Sequence, residues 1–212
     1  MKVFVAGATG RVASFLLADL LAAGHEVTAG ARQPERIQPQ PGLTAVAMDL
    51  TASEVDLAAL LAAHDAVYFT AGSRGKDLLQ VDAYGAVALM KAAKLAGIKR
   101  FIMLSSLLSL APERWSDPTV ASLRNYLTAK YFADDWLIHR SGLDYTILQP
   151  GALEEAEGAT GLVTFDVQGF SRNSIPNVAA VLAGVLTADN TIGKVITMGD
   201  GDQTISQALA EV

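Results

Sequence analysis

The 212-residue chain contains no cysteine. That absence excludes a disulfide scaffold, a thiolate nucleophile and a cysteine-based zinc site. Basic charge is also scarce. Lys and Arg number 16 against 22 Asp and Glu, a net charge of −6, and they are scattered along the chain. A nucleic-acid binder concentrates such residues in a patch or stripe, so no nucleic-acid partner is expected. Long apolar runs are missing too. The longest, Val178–Leu186, is about half of what a membrane span needs, and no membrane partner is expected. The short apolar stretch Met1–Ala6 runs straight into a glycine turn and does not read as a signal peptide. The expectation is a soluble cytoplasmic protein. His25, His64 and His139 are far apart, lack metal-ligand spacing and read as surface residues, so no metal site is expected.

What is present is apolar and periodic. Half of the chain is hydrophobic, ample for a core. Strand-like and helix-like segments alternate from the first residue. Lys2–Ala6 predicts a strand, Arg11–Ala23 a helix stopped by Gly24, and Glu26–Ala31 a second strand. Leu43–Met48, Asp65–Thr70, Arg100–Ser105 and Asp144–Gln149 predict further strands. Helices are predicted from a Ser53 cap to about Ala63, over Leu78–Ala96 and over Val120–Arg140. Ser106–Pro118 reads as an irregular loop, and the residues from Gly151 to Gly161 as a polar, glycine-rich segment. The end predicts a strand at Leu162–Asp166, a helix at Pro176–Ala188, a strand at Lys194–Met198 and a helix at Thr204–Glu211. This order implies an α/β fold: a Rossmann-type, doubly wound parallel sheet with helices on both faces. About 60 residues beyond Gly151 are too few for a second domain, so they read as a small C-terminal extension that closes over the site.

The turn Gly7-x-x-Gly10-x-x-Ala13 lies between the first strand and the first helix. Gly7 permits a tight turn, Gly10 lets backbone approach a pyrophosphate, and Ala13 lets the helix pack against the sheet. The helix N-terminus then aims free amides and a positive dipole end at the phosphates. Gly7, Thr9, Gly10, Arg11 and Val12 are the expected phosphate-side residues. At the end of the second strand, NAD preference normally calls for an acid on the ribose. Here the chain reads Ala29-Gly30-Ala31-Arg32, with Arg36 nearby, and a guanidinium suits a 2′-phosphate. NADP(H) is therefore expected ahead of NAD(H). Asp49 and Leu50 would lie near the adenine, with helix capping an equal alternative for Asp49.

With these pieces the sequence resembles the short-chain dehydrogenase/reductase superfamily, in its atypical NmrA-like and epimerase-like branch. The resemblance is carried by Gly7-Ala8-Thr9-Gly10, Gly24-His25-Glu26-Val27-Thr28, Arg32, Asp49-Leu50, Thr70-Ala71-Gly72, Lys99-Arg100-Phe101, Ser105-Ser106, Tyr126-x-x-x-Lys130, Ser141–Thr146 and Pro150-Gly151, in family order. It implies that Thr70, Ala71 and Gly72 line the adenosine and pyrophosphate side, and that Ser105, Ser106, Pro150 and Gly151 lie by the nicotinamide. Gln149, beside them, stands where many relatives carry arginine, which removes any role there that needs a cation. Tyr126 and Lys130 are four apart and share a helix face. The resemblance implies that Tyr126 protonates a developing alkoxide, that Lys130 supports it and holds the nicotinamide ribose, and that Ser106 hydrogen-bonds the substrate oxygen. A Tyr and a Lys so spaced are also common on ordinary helices, and Lys130 can hold ribose in a protein that performs no chemistry.

Lesser candidates are Trp115, read as a pocket wall, Arg74 or Lys76, able to close on a cofactor, and Glu154, Glu155 and Glu157, read as a solvated run. The expected function is NADP(H)-dependent hydride transfer to a small carbonyl, quinone or flavin-like acceptor. A non-catalytic NADP(H) sensor and an epimerase or dehydratase remain alternatives. The expected partner is a small-molecule substrate, and a homodimer is compatible with the reading.

Overall fold

The computed structural model describes residues 1–212. Its centre is a sheet in which strands β1 (Lys2–Ala6), β2 (Glu26–Ala31), β3 (Leu43–Ala47), β4 (Ala66–Phe69), β5 (Arg100–Leu104), β6 (Asp144–Pro150) and β10 (Lys194–Asp200) run parallel, ordered β10-β6-β5-β4-β1-β2-β3. The order reverses between β1 and β4. In an open α/β sheet that point opens a crevice at the carboxyl ends of the strands.

Alternation along β1 builds two cores. Val3 and Val5 face helices α1 (Arg11–Ala22) and α5 (Ile175–Gly184), while Phe4 and Ala6 face α2 (Glu54–Leu61), α3 (Ala86–Leu95) and α4 (Arg124–Arg140). A strand buried on both faces must be apolar throughout, as Val3–Ala6 is. Ser53 caps α2 by accepting the Asp56 amide at 3.2 Å, and Thr204 and Gln207 form a reciprocal capping box on α6 (Ile205–Ala210).

The sequence expectations need correction in four places. Leu78–Ala96 is not one α-helix. Leu78–Gly85 is wound as a π-helix before α3 begins at Ala86, and this wider winding carries Asp82 beneath the loop after β4. Gly85 suits the junction, because a Cβ there would lie 2.9 Å from Gln80 O and 3.0 Å from Leu50 Cβ. Second, the segment after Gly151 holds a strand, β7 (Ala152–Glu154), paired in parallel with β9 (Arg172–Ser174). Third, part of the extension also widens the sheet. β8 (Leu162–Phe165) runs antiparallel to β10, and β11 (Gln203–Thr204) antiparallel to β8. Finally, His64 is half-buried, with its ring nitrogens on Leu61 O and Thr28 Oγ1 and its edge against Phe4.

Candidate functional site

The glycine turn follows from its contacts. Gly7 adopts φ +85°, and its amide and that of Ala8 donate to Gly30 O at 3.0 and 3.1 Å. Gly10 donates to Gly7 O at 2.9 Å and precedes α1 without offering a side-chain cap. The first-turn amides of α1 therefore have no side chain to satisfy them, and they attract an anion. A Cβ at Gly7 would stand 2.5 Å from the Ala71 backbone, so the turn and the loop after β4 touch directly. Thr70 locks that loop, since its amide and its hydroxyl both donate to Ala6 O.

Between these loops lies a cavity of about 230 Å³. Gly10, Arg11 and Val12 form one wall, and Thr70, Ala71, Gly72 and Arg74 the next. Asp82 from the π-wound turn, Leu104, Ser105 and Ser106 from the end of β5, Tyr126 and Lys130 from α4, and Pro150, Gly151 and Leu153 around the end of β6 complete it. Lys130 is 3 % exposed, donates to Leu104 O at 3.1 Å, and lies 5.6 Å from the Phe69 ring and 5.9 Å from the Tyr126 ring. Ser106 Oγ reaches only Leu107 O, at 3.4 Å, leaving it available to a ligand. Arg11 pairs with Glu155 at 2.7 Å across the mouth. Glu154 pairs with Arg172, so two of the three acids read as a solvated run are tied to arginines.

Several expected residues lie elsewhere. Gln149 does not line the cavity. It is 3 % exposed and donates to Ser109 and Asp134 behind it. Trp115 is likewise no wall. Its indole donates to Leu108 O and packs edge-on against Tyr131, anchoring the loop after β5 to α4. Leu50 is core, against the Gly85 junction. Asp49 is exposed and accepts the Thr51 amide and hydroxyl. Those bonds, with Arg32 nearby, hold its carboxyl below the usual range. Arg32 is exposed just past β2, on the same sheet edge as the turn but outside the cavity. Lys76 does not line the cavity, whereas Arg74 does.

Two buried acids were not anticipated. Asp82, a residue that lines the cavity, accepts the Ser73 amide through Oδ2, and its buried Oδ1 has no partner. Asp134 continues the Tyr126–Lys130 spacing by four more residues, on the same face of α4. That spacing was a readable signal. Burial pushes the Asp134 carboxyl above its usual range, against opposing hydrogen bonds from Ser105 and Ser109. A raised folded-state value means that the native protein holds a proton the unfolded chain releases. The resulting stability is full below the unfolded value of about 3.9 and is lost as pH rises through the folded one. The thermal midpoint is accordingly expected to fall over that interval in the wild type. In Asp134→Asn this component of the fall should vanish, which calorimetry across pH would show.

Taken together these residues fit a dinucleotide. A Cβ at Gly7 or Gly10 would crowd the cradle, the α1 amides await an anion, and Asp82, with one orphaned buried oxygen, belongs to the lining. Comparison with protein families matches residues 7–189 to an NAD(P)H-binding family. The chain belongs to that family. This NAD(P)H-binding protein is 35 % identical to an uncharacterized sugar epimerase of Bacillus subtilis, YhfK, over the whole of both chains. It is 42 % identical to the oxidoreductase YlbE of Lactococcus lactis, with TM-score 0.97, covering 100 % of this chain and 96 % of that one. ChuY, an anaerobilin reductase of Escherichia coli, is 25 % identical with TM-score 0.79, covering 96 % and 99 %. No helix is long and apolar enough to cross a membrane, and no cluster of three or more His, Cys, Asp or Glu could hold a metal ion.

Proposed function

We propose that this NAD(P)H-binding protein is an NADP(H)-dependent oxidoreductase of the atypical short-chain dehydrogenase/reductase type, acting on a small carbonyl, quinone or flavin-like acceptor. The observation that carries this reading is the convergence of Tyr126, Lys130 and Ser106 on the cavity that the glycine turn opens. The chemistry that the bound nicotinamide supplies is hydride transfer to or from carbon. The chain's own residues do the rest. The α1 amides, and Arg11 once released from Glu155, would hold phosphate. Lys130, fixed by Leu104 O, presents its ammonium beside Tyr126 and supports a proton leaving the phenol. Ser106, with little internal bonding, engages the substrate oxygen. The oxidoreductase and reductase descriptions of YlbE and ChuY favour this chemistry. The widening of the sheet by the last strands leaves little chain for the larger pocket that a sugar nucleotide needs.

The preference for NADP(H) rests on Arg32, an exposed guanidinium at the end of β2. Arg32→Glu removes a charge-assisted bond to the 2′-phosphate and adds repulsion. It is expected to weaken NADPH binding by about 10- to 100-fold. NADH, lacking that phosphate, should be affected little, as calorimetric titration of both would show. Equal loss of both would remove Arg32 from the site. The reaction itself is tested by NADPH oxidation with a panel of aldehydes, ketones, quinones and free flavins. Tight NADPH binding without turnover of any acceptor would replace this reading with that of a redox sensor.

A further inference from the structure

Behind the serine end of the cavity is a polar cluster that neither the phosphate cradle nor the Tyr126–Lys130 pair uses. Asp134 is fully buried. One of its oxygens, Oδ2, meets Ser105 Oγ at 2.6 Å, Ser109 Oγ at 2.6 Å and Gln149 Nε2 at 3.2 Å. Gln149 Nε2 also donates to Ser109 Oγ at 2.8 Å. The other oxygen, Oδ1, has no partner. Ser105 itself borders the cavity.

The charged surroundings are sparse. Lys130, one turn earlier on α4, donates to Leu104 O and makes no hydrogen bond to Asp134; its charge pulls the carboxyl downward, against the larger upward push of burial. The π-wound turn packed on α4 brings Asp82, which is bound to the Ser73 amide. From α3 come Lys91, paired with Glu54, and Lys94, which lies toward Gly142 beyond the end of α4. The end of β5, the following loop and β6 contribute only Ser105, Ser109 and Gln149, all neutral. A carboxylate here would hold a buried charge with no cation hydrogen-bonded to it and with one bare oxygen, an arrangement that burial penalises.

Counting protons shows what a neutral acid would do. An ionised Asp134 must receive protons from both Ser105 and Ser109. Ser105 would then show the cavity only lone pairs. A neutral Asp134 donates its Oδ2 proton to Ser105 Oγ and accepts from Ser109, which accepts from Gln149. Ser105, Ser109 and Gln149 each keep their contact with Oδ2, Oδ1 stays without a partner, and the Ser105 proton is free to point outward instead of along the long 3.4 Å contact to Ser109 Oγ. We propose that Asp134 is a positioning residue that keeps its proton and so turns the Ser105 hydroxyl into a hydrogen-bond donor toward a carbonyl oxygen in the cavity. That oxygen belongs either to the substrate or to the nicotinamide carboxamide. The assignment rests on the oxidoreductase reading only for the first of these.

The direct test follows the Asp134 carboxyl carbon by NMR in cofactor-free protein labelled with carbon-13 at aspartate side-chain carboxyls, the signal being identified by its loss in Asp134→Asn. The protonated form should persist at neutral pH. A carboxylate ionised between about pH 5 and 9 overturns the proposal, whatever the activity. The second test measures, across pH, the Kd for NADP(H) and kcat/KM for the most reactive acceptor. Ser105→Ala should weaken one of them by about 10-fold. A change in Kd would name the carboxamide, and a change confined to kcat/KM the substrate. The wild type should lose the same factor as Asp134 ionises. Asp134→Asn, whose amide can still donate to Ser105, should lose that pH limb. An unmoved limb in Asp134→Asn, or no effect of Ser105→Ala on either quantity, overturns the proposal. If Asp134→Asn does not fold, the Ser105→Ala protein and the wild-type titration, its Asp134 signal then found by its shift in Ser105→Ala, still decide. If NADPH binds and no acceptor turns over, the oxidoreductase reading fails, while the carboxyl titration and the Kd profile still decide the role of Asp134.

Discussion

Tyr126→Phe is expected to lower kcat for NADPH-driven reduction of an aldehyde or ketone by about 10²- to 10⁴-fold, the usual worth of a positioned general acid. The Kd for NADPH should change far less, because the substitution deletes one oxygen and leaves the ring in place. That ring is part of the wall and lies 5.9 Å from the Lys130 ammonium. The hydroxyl makes no structural bond that would confuse the result with unfolding, unlike Lys130, whose removal would strand Leu104 O. Steady-state kinetics with a carbonyl and a quinone acceptor, side by side, separates the outcomes. A quinone takes hydride without needing a proton from the protein in the same step, so its rate should survive. Equal retention of both rates would show that Tyr126 contacts ligand without acting as an acid.

The phosphate turn and the alternation of strands and helices were legible because each rests on a local signal. Gly7, Gly10 and Ala13 sit at a spacing that lets a strand, a tight turn and a helix meet, and β1 is apolar on both faces because it is central. The π-wound stretch was not legible, since Leu78–Gly85 holds no proline or other break that would set it apart from the α-helix after it. The wider winding goes with a tertiary bond, from the Ser73 amide to Asp82, that local sequence does not announce. β7 and β9 were hidden for a related reason. Each is three residues long, and they pair only with each other. Gln149 shows how a correct neighbourhood can mislead. It immediately precedes Pro150, which lines the cavity, but adjacent residues on a strand point to opposite sides. Its side chain turns inward to Asp134, a residue legible only as the third member of a four-residue repeat.

Gly7→Ala should be the most damaging single-methyl change in the site, and a second glycine provides its control. Gly7 and Gly24 have nearly the same backbone, φ +85° and +80°. Alanine pays similar strain at either, about 1–2 kcal/mol for the left-handed region. Their surroundings differ. A Cβ at Gly24 meets nothing within 4 Å, whereas at Gly7 it would stand 2.5 Å from the Cα and N of Ala71. Neither side of that collision is free to yield. Gly7 is tethered by its amide to Gly30 O, and the loop bearing Ala71 by two Thr70 bonds to Ala6 O. Relief requires parting the end of β1 from the end of β4, which opens the floor of the cavity. Gly24→Ala is therefore expected to cost about 1–2 kcal/mol and leave NADPH affinity intact. Gly7→Ala adds an overpacking term and is expected to cost about 3 kcal/mol or more, with NADPH binding lost. Denaturant titration and cofactor titration of the pair measure the two effects. Equal destabilisation of both variants, with NADPH still bound by Gly7→Ala, would show that the contact between the turn and the β4 loop does not shape the phosphate site.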